Sequence, residues 1–379
     1  MIQHTFCKIS RFFYIHISKP ILFIVPPDAI HSSMIRFTSI AGRVPAMRWF
    51  VRLSFKSRRD ERLVQNYHGV EFDSPVGLAA GFDKNGEVVP IISVLGFGFG
   101  TVGSVTAKHC VGNPRPWFYR LPNTQSLVVN AGLANHGSRI IIKRLGQYKS
   151  HTARQFPIVL SIAKTNSQKV VDIKDGIADY VTTVKRAKNE NSIKMIELNI
   201  SCPNAFGGEP FTTPNRLDRL LTAVDKVGTK QPIYIKMPVN LSWDAFKPLL
   251  DVIVKHRVVG VTISNLAKDR AKVELKDELP NTVKGNLSGK PTWQISNELI
   301  RQTYLNYGDR LTIIGVGGIF SAEDAYSKIR LGASLVEIIT GMIFCGPQLV
   351  TEINDGLARL LEQDGYANIS QAIGVDAAN

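Results

Sequence analysis

From about residue 70 onward the chain repeats one pattern: a short apolar or β-branched run, a loop, then a stretch of helical period. The runs lie at 76–80 (VGLAA), 98–105 (GFGTVGSV), 158–163 (IVLSIA), 195–200 (MIELNI), 232–236 (PIYIK), 259–264 (VGVTIS), 312–316 (TIIGV) and 335–340 (LVEIIT). Strands that alternate with helices pair in parallel through right-handed crossovers. Eight of them imply closure into a (β/α)8, or TIM, barrel. A doubly wound open sheet is the alternative, but no G-x-G-x-x-G opens a helix after the first run. The 379 residues exceed the roughly 250 that one barrel needs, which leaves room for an extension.

That extension precedes the barrel and carries its own charge. Residues 1–62 hold eleven Lys or Arg against three acids, a large share of the chain's net charge of +15. Phe12, Phe13, Tyr14, Phe23, Phe37, Trp49 and Phe50 run through the same stretch. Basic residues mixed with aromatic and aliphatic ones suit a segment lying on an anionic membrane surface; a solvated basic face is the plainer reading. No recognition motif supports nucleic acid as a partner. No apolar run approaches the roughly 20 residues that span a bilayer. Asp28 is placed to cap a helix from about Ala29 to Ile40, with Gly42 and Pro45 closing it. Ile30, Met34, Phe37 and Ile40 fall on one stripe of that helix. With the apolar piece at 20–25 and the Pro26-Pro27 turn, this predicts a two-helix extension, giving domains 1–62 and 63–379.

Polar residues and glycines fall at the ends of the runs: Lys84, Ser104, Lys164, Asn199, Lys236, Asn265, Gly317-Gly318 and Thr340-Gly341. A barrel enzyme builds its active site on the C-terminal face of its strands. GVGGI (315–319) and Thr340-Gly341 occupy the places after strands seven and eight where backbone N–H groups cradle a phosphate; alone, Gly-Gly marks a turn. Lys236 ends an apolar strand, and an anion there would offset the cost of its charge; the plainer reading is a lysine reaching solvent at the rim. In Asn199-Ile200-Ser201-Cys202-Pro203-Asn204 two amides flank a thiol. The amides suit a planar substrate with carbonyl and N–H groups. A modest downward pKa shift would make the thiol a usable base; taken alone, it is an inert buried cysteine. The other cysteines, Cys7, Cys110 and Cys345, are far apart in sequence. No disulfide framework and no metal site is expected.

GLAAGFDKNGE (77–87), GSVT (103–106), GNPRPWFYRLP (112–122), NISCPN (199–204), GNLSG (285–289), GVGGI and TGMIFCGP (340–347) together resemble the dihydroorotate dehydrogenases. PPDAIHSSMIRFTSIAGRVP (26–45) resembles the helical extension of the quinone-linked, membrane-associated class. The resemblance implies FMN as cofactor, held by Ala80, Gly81, Ser104, Lys164, Lys236, Gly289, Gly317, Gly318, Thr340 and Gly341. It implies that Lys84 grips the substrate carboxylate and that Asn130, Asn199, Asn204 and Asn265 bind the dihydropyrimidine ring. Cys202 would take a proton from C5 while a hydride leaves C6 for the flavin. His31, Met34, Phe37, Thr38 and Arg120 would line a quinone tunnel.

Several positions depart from that class. Cys202 stands where it has serine, and Ala205 where a threonine assists that serine. A more acidic base needs less help, so the two departures agree. Asn130 meets the family's substrate asparagine only if one residue is deleted; otherwise Val129 takes its place. Ser161, Leu266 and Ile339 replace an asparagine, a threonine and a tyrosine, and the loop 205–214 also differs. A soluble acceptor such as fumarate or NAD, or an FMN reductase of uracil-type rings such as a dihydrouridine synthase, are the rival readings. The expected setting is a monomer or homodimer, peripheral on the cytoplasmic face of a bacterial inner membrane, or on the mitochondrial inner membrane if eukaryotic.

Overall fold

The computed structural model describes residues 2–55, 59–148 and 156–378. Its centre is a closed barrel of eight parallel strands. They are β1 (Val76–Leu78), β2 (Phe99–Val105), β3 (Ile158–Ile162), β4 (Ile193–Asn199), β5 (Ile233–Lys236), β6 (Val258–Ile263), β7 (Thr312–Val316) and β8 (Leu335–Ile338). Each coincides with one of the eight runs, and closure is made by β8 pairing with β1, Val336 opposite Val76 and Ile338 opposite Leu78. Both faces of each strand are buried, which is why the runs read as continuous apolar stretches.

Parallel strands tilt as they close, so side chains from alternate strands meet at one level. Following the register, the interior stacks in successive levels. Phe99, Met195, Gly260 and Leu335 form the lowest; Gly77, Val159, Tyr234 and Ile314 lie above them. Thr101, Glu197, Thr262 and Glu337 form the next level, and Ala79, Ser161, Lys236 and Val316 the one beneath the C-terminal rim. The lower end is plugged by an antiparallel hairpin, Gln65–Tyr67 with Val70–Phe72. Phe72 packs edge-on to Phe99 at 5.4 Å, and the His68 ring lies 2.9 Å from the Thr312 hydroxyl. At the opposite end a small antiparallel sheet of Phe118–Leu121, Ser126–Val129 and Asn286–Leu287 rises beside the rim. These short strands escaped the sequence reading because two to four residues carry no measurable alternation.

The extension is longer than the two helices expected. It comprises α1 (Ile2–Phe13), a π-helical stretch (Tyr14–Ser18), α2 (Lys19–Ile24), α3 (Pro27–Arg43) and α4 (Pro45–Phe55). Asp28 does not cap α3. Pro26 is the N-cap and Pro27 opens the helix, a position where the missing N–H is no loss. The Asp28 carboxylate instead accepts the N–H groups of Trp117 (3.1 Å) and Phe118 (3.2 Å). Arg120 donates to the carbonyls of Phe23 (3.2 Å) and Val25 (2.8 Å), and Tyr14 Oη to that of Ile343 (2.6 Å). The outer faces of these helices expose Ile9, Phe12, Phe13, Ile21, Ile24, Phe37, Ile40, Trp49, Phe50 and Leu53. No helix among the described residues is long and apolar enough to cross a membrane.

Asp28 is thus the polar bolt between α3 and the small sheet. Asp28→Ala should leave two half-buried N–H groups unpaired and cost about 1 kcal/mol or somewhat more. Chemical denaturation would measure the loss, and limited proteolysis should show faster cleavage within the extension. Unchanged stability together with unchanged cleavage would show that the extension is held by packing alone.

Candidate active site

A single cavity of about 480 Å³ joins the rim of the barrel to the inner faces of α2, α3 and α4. Rim residues on it include Ala80, Gly81, Lys84, Ser104, Asn199, Cys202, Asn204, Lys236, Asn265, Gly289, Gly317, Gly318, Thr340 and Gly341. From the extension side come His31, Met34 and Thr38, with Arg120 from the small sheet. Loops after six of the eight strands, the end of β5 at Lys236, and a helix fifty residues upstream therefore converge on one space.

Three expected residues do not line it. Phe37 points outward and is 61% exposed, because α3 turns only one stripe inward and Met34 and Thr38 occupy it. Asn130 is replaced by Val129. Strand alternation turns Val129 toward the cavity, while the Asn130 side chain accepts from Asn113 Nδ2 at 2.9 Å. Lys164 is buried, but its ammonium is spent on the carbonyls of Val170 (2.8 Å) and Phe206 (3.0 Å), which tie the loop after β4 to the barrel.

The asparagines form two hydrogen-bonded groups, one around Asn199 and Asn265 and one around Asn204. Asn199 Nδ2 donates to Ser104 Oγ (2.8 Å), which lies 2.9 Å from Ser161 Oγ. Asn265 Nδ2 donates to Asn199 Oδ1 and Ser201 Oγ, both at 3.1 Å. Asn204 donates to the Val129 carbonyl (2.9 Å) and accepts from Asn286 Nδ2 (2.6 Å). Ser161 thus braces Ser104. Asn113 and Asn286, which orient the Asn204 group, lie in the GNPRPW and GNLSG segments, where residue type alone does not disclose that role.

The glycines after β7 and β8 are there for space. A Cβ on Gly317 would lie 2.3 Å from the Thr292 hydroxyl, one on Gly318 2.7 Å from Trp293, and one on Gly341 2.1 Å from the Ile319 carbonyl. Gly317 and Gly318 also have positive φ, 113° and 74°, where a side chain is strained. Such a crowded turn presents backbone rather than side chains to whatever occupies the cavity. Lys236 is 5% exposed, and its ammonium makes no hydrogen bond among the described residues, although it lines the cavity. A buried ammonium without a hydrogen bond is costly, so the donor set fits a planar group carrying negative charge, with a phosphate against the glycine turns.

Electrostatics set the remaining chemistry. Burial pushes the Lys84 ammonium down to about 8; it donates to the Gly81 carbonyl (2.8 Å) and to His31 Nε2 (3.1 Å). Burial, followed by the charge of Lys84, drives His31 down to about 3, so its ring is neutral and accepts from Lys84. The expected lowering of Cys202 is not found. Burial pushes its thiol up to about 11, against the opposing pull of the Asn204 backbone N–H and of Lys236. The thiol, not the thiolate, is the resting form.

A closed parallel barrel whose C-terminal rim gathers amides, a thiol, two buried lysines and a glycine turn defines a (β/α)8-barrel enzyme. The chain belongs to the dihydroorotate dehydrogenase family, which matches residues 62–361. A relative named dihydroorotate dehydrogenase (quinone) from Haloarcula marismortui is 35% identical over 367 residues, covering 95% of this chain and 98% of the relative. One from Anaeromyxobacter dehalogenans, of the same name, is 36% identical over 312 residues, covering 81% and 84%. The crystal structure of DHODH from Eimeria tenella in complex with ferulenol superposes with a TM-score of 0.80 at 26% identity, covering 93% of this chain and 96% of that one. At that coverage the match includes part of the extension as well as the barrel.

Because the resting thiol is protonated, alkylation of Cys202 by iodoacetamide in the ligand-free protein should accelerate about tenfold per pH unit from pH 7 to 10. A rate that levels off near pH 7, followed by mass spectrometry of the Cys202 peptide, would show a thiolate already present.

Proposed function

We propose that this chain oxidises (S)-dihydroorotate to orotate in de novo pyrimidine (UMP) biosynthesis, with FMN in the barrel rim and a quinone as electron acceptor. The continuous cavity carries the reading: its inner end holds the amides, Cys202 and Lys236, and its outer end opens among the helices of the extension. Residues 1–62 then serve the quinone and the membrane surface, and residues 63–379 the chemistry. The exposed apolar side chains on α1 to α4 and the excess of basic residues support peripheral attachment to an anionic membrane, on the cytoplasmic face in a bacterium.

When bound, FMN supplies the two-electron acceptor for the hydride leaving C6. Lys236, Ser104 and the glycine turns of Gly317, Gly318 and Gly341 would hold it. Lys84 would meet the substrate carboxylate; an anion there raises the ammonium back toward its ordinary range and replaces the weak contact with neutral His31. Asn199, Asn204 and Asn265 orient the ring by their amide donors and acceptors. Cys202 takes the proton from C5. Its raised pKa means that only a small fraction is thiolate at neutral pH, and Lys236 and the Asn204 N–H are the groups that favour that fraction. Ala205 offers no hydroxyl of its own to relay the proton, so Cys202 works without the help of that position. The apolar Ile339, which lines the cavity, keeps water out where the inner and outer ends meet.

The test is anaerobic: mix the flavin-loaded protein with dihydroorotate and follow flavin absorbance. Cys202→Ala should slow bleaching by about 10²–10⁴-fold, and the wild-type rate should keep rising above pH 8. Adding a quinone should restore the colour, whereas fumarate or NAD should not. No bleaching in the wild type would overturn the substrate assignment, and recolouring by fumarate alone would overturn the acceptor.

A further inference from the structure

The barrel interior contains a polar level that neither the apolar core nor the proposed proton abstraction uses. Thr101, Glu197, Thr262 and Glu337 come from alternate strands β2, β4, β6 and β8, and none is more than 1% exposed. Thr101 Oγ1 donates to one oxygen of Glu337. The other Glu337 oxygen, one Glu197 oxygen and the Thr262 hydroxyl have no hydrogen-bond partner among the described residues. Glu337 also reaches the lining of the cavity, and Lys236 stands one level above.

Keeping both carboxylates ionised in such a space is costly. Each unpaired buried charge is expensive, and like charges confined together raise one another's proton affinity. Burial first, and then the charge of Glu197, push the Glu337 carboxyl well above the ordinary carboxylate range, while Lys236 and the Thr101 hydroxyl pull the other way. The groups facing Glu337 are few. Glu197 on β4 and Lys236 on β5 are the charged ones; Thr101 and Thr262 offer hydroxyls; Tyr234 lies one level below. β1, β3 and β7 contribute Gly77, Ala79, Val159, Ser161, Ile314 and Val316, none of which titrates.

We propose that Glu197 and Glu337 share one proton and form, with Lys236 above them, a proton-holding floor to the cavity that binds a second proton when negative charge arrives above it. The inference rests on FMN occupying the rim. With one shared proton the pair carries −1 and Lys236 +1, so the floor is neutral. Hydride arrival adds one negative charge to the cavity. A proton taken from water then makes both carboxyls neutral and leaves the charge of Lys236 free to face it; the proton returns to water on reoxidation. Thr101 and Thr262 are the hydroxyls that can turn from donating to accepting as the pair changes charge.

Glu337→Gln keeps the size of the side chain and an acceptor for Thr101 but cannot ionise. Infrared difference spectra of the flavin-free protein at pH 7, wild type minus variant, should show one protonated-carboxyl band that shifts in D2O. Glu197→Gln, which leaves Glu337 as the sole counter-ion of Lys236, should lose the same band and provides a second route if the first variant does not fold. In the FMN-loaded protein, the flavin midpoint potential should fall with pH more steeply in the wild type than in Glu337→Gln, by the equivalent of one proton around neutrality. Absence of the band from the wild type, or equal slopes, would overturn the proposal. Dithionite as reductant makes both readouts independent of the substrate: a flavin that titrates normally but ignores dihydroorotate refutes the activity and leaves the floor standing.

Discussion

Pairing of β8 with β1 is the contact on which everything else rests, because it turns a run of parallel strands into a ring. Val336 opposite Val76 and the Ala79 N–H on the Ile338 carbonyl at 3.0 Å bring together segments some 260 residues apart in sequence. Once the ring closes, every strand points its C-terminal end at the same rim, and residues as distant as Lys84 and Thr340 share a wall. Closure also leaves an interior that alternate strands must fill. Most of that interior is apolar, with Phe72 of the hairpin sealing the lower end against Phe99, and this leaves the upper end as the open one.

The extension turns that open end into an enclosed cavity. Its hold on the barrel is polar and specific: Asp28 on the amides of Trp117 and Phe118, Arg120 on the carbonyls ending α2, and Tyr14 on Ile343. These bonds fix the inward stripe of α3, and His31 thereby reaches Lys84. The lysine expected to meet the substrate and the histidine expected in the tunnel are consequently neighbours, so the two ends of the cavity meet at one hydrogen bond. The apolar faces left outside the bundle follow from the same arrangement, since a helix pinned by one stripe must present the other to its surroundings.

Legibility in the sequence followed the range of the interaction involved. The eight runs were readable because strands buried on both faces are uniformly apolar, and the rim residues because each lies at or just past the end of its run. The glycine turn was readable because only glycine fits where a Cβ would strike Thr292 or Trp293. Other features needed the fold. Phe37 and Met34 are three residues apart on one helix, and only docking decides which faces the cavity. Val129 and Asn130 exchange places through the register of a four-residue strand. Asp28 carries the residue type of a cap, yet Pro26 and Pro27 start the helix and release its carboxylate for a partner 89 residues away.

The sequence by itself determined the barrel, the face on which chemistry occurs and the residue types gathered there, because hydrophobic period and turn chemistry are local properties written in consecutive residues. Only the tertiary structure decided the ionic states. Whether Cys202 rests as a thiol, Lys84 sits near 8 or His31 stays neutral depends on how much water the surrounding strands and helices exclude, and no spacing along the chain records that. The same holds for Glu337, which reads as an ordinary strand residue until closure sets it at one level with Glu197. Desolvation is a property of the enclosed volume, and the volume exists only once the ring has closed.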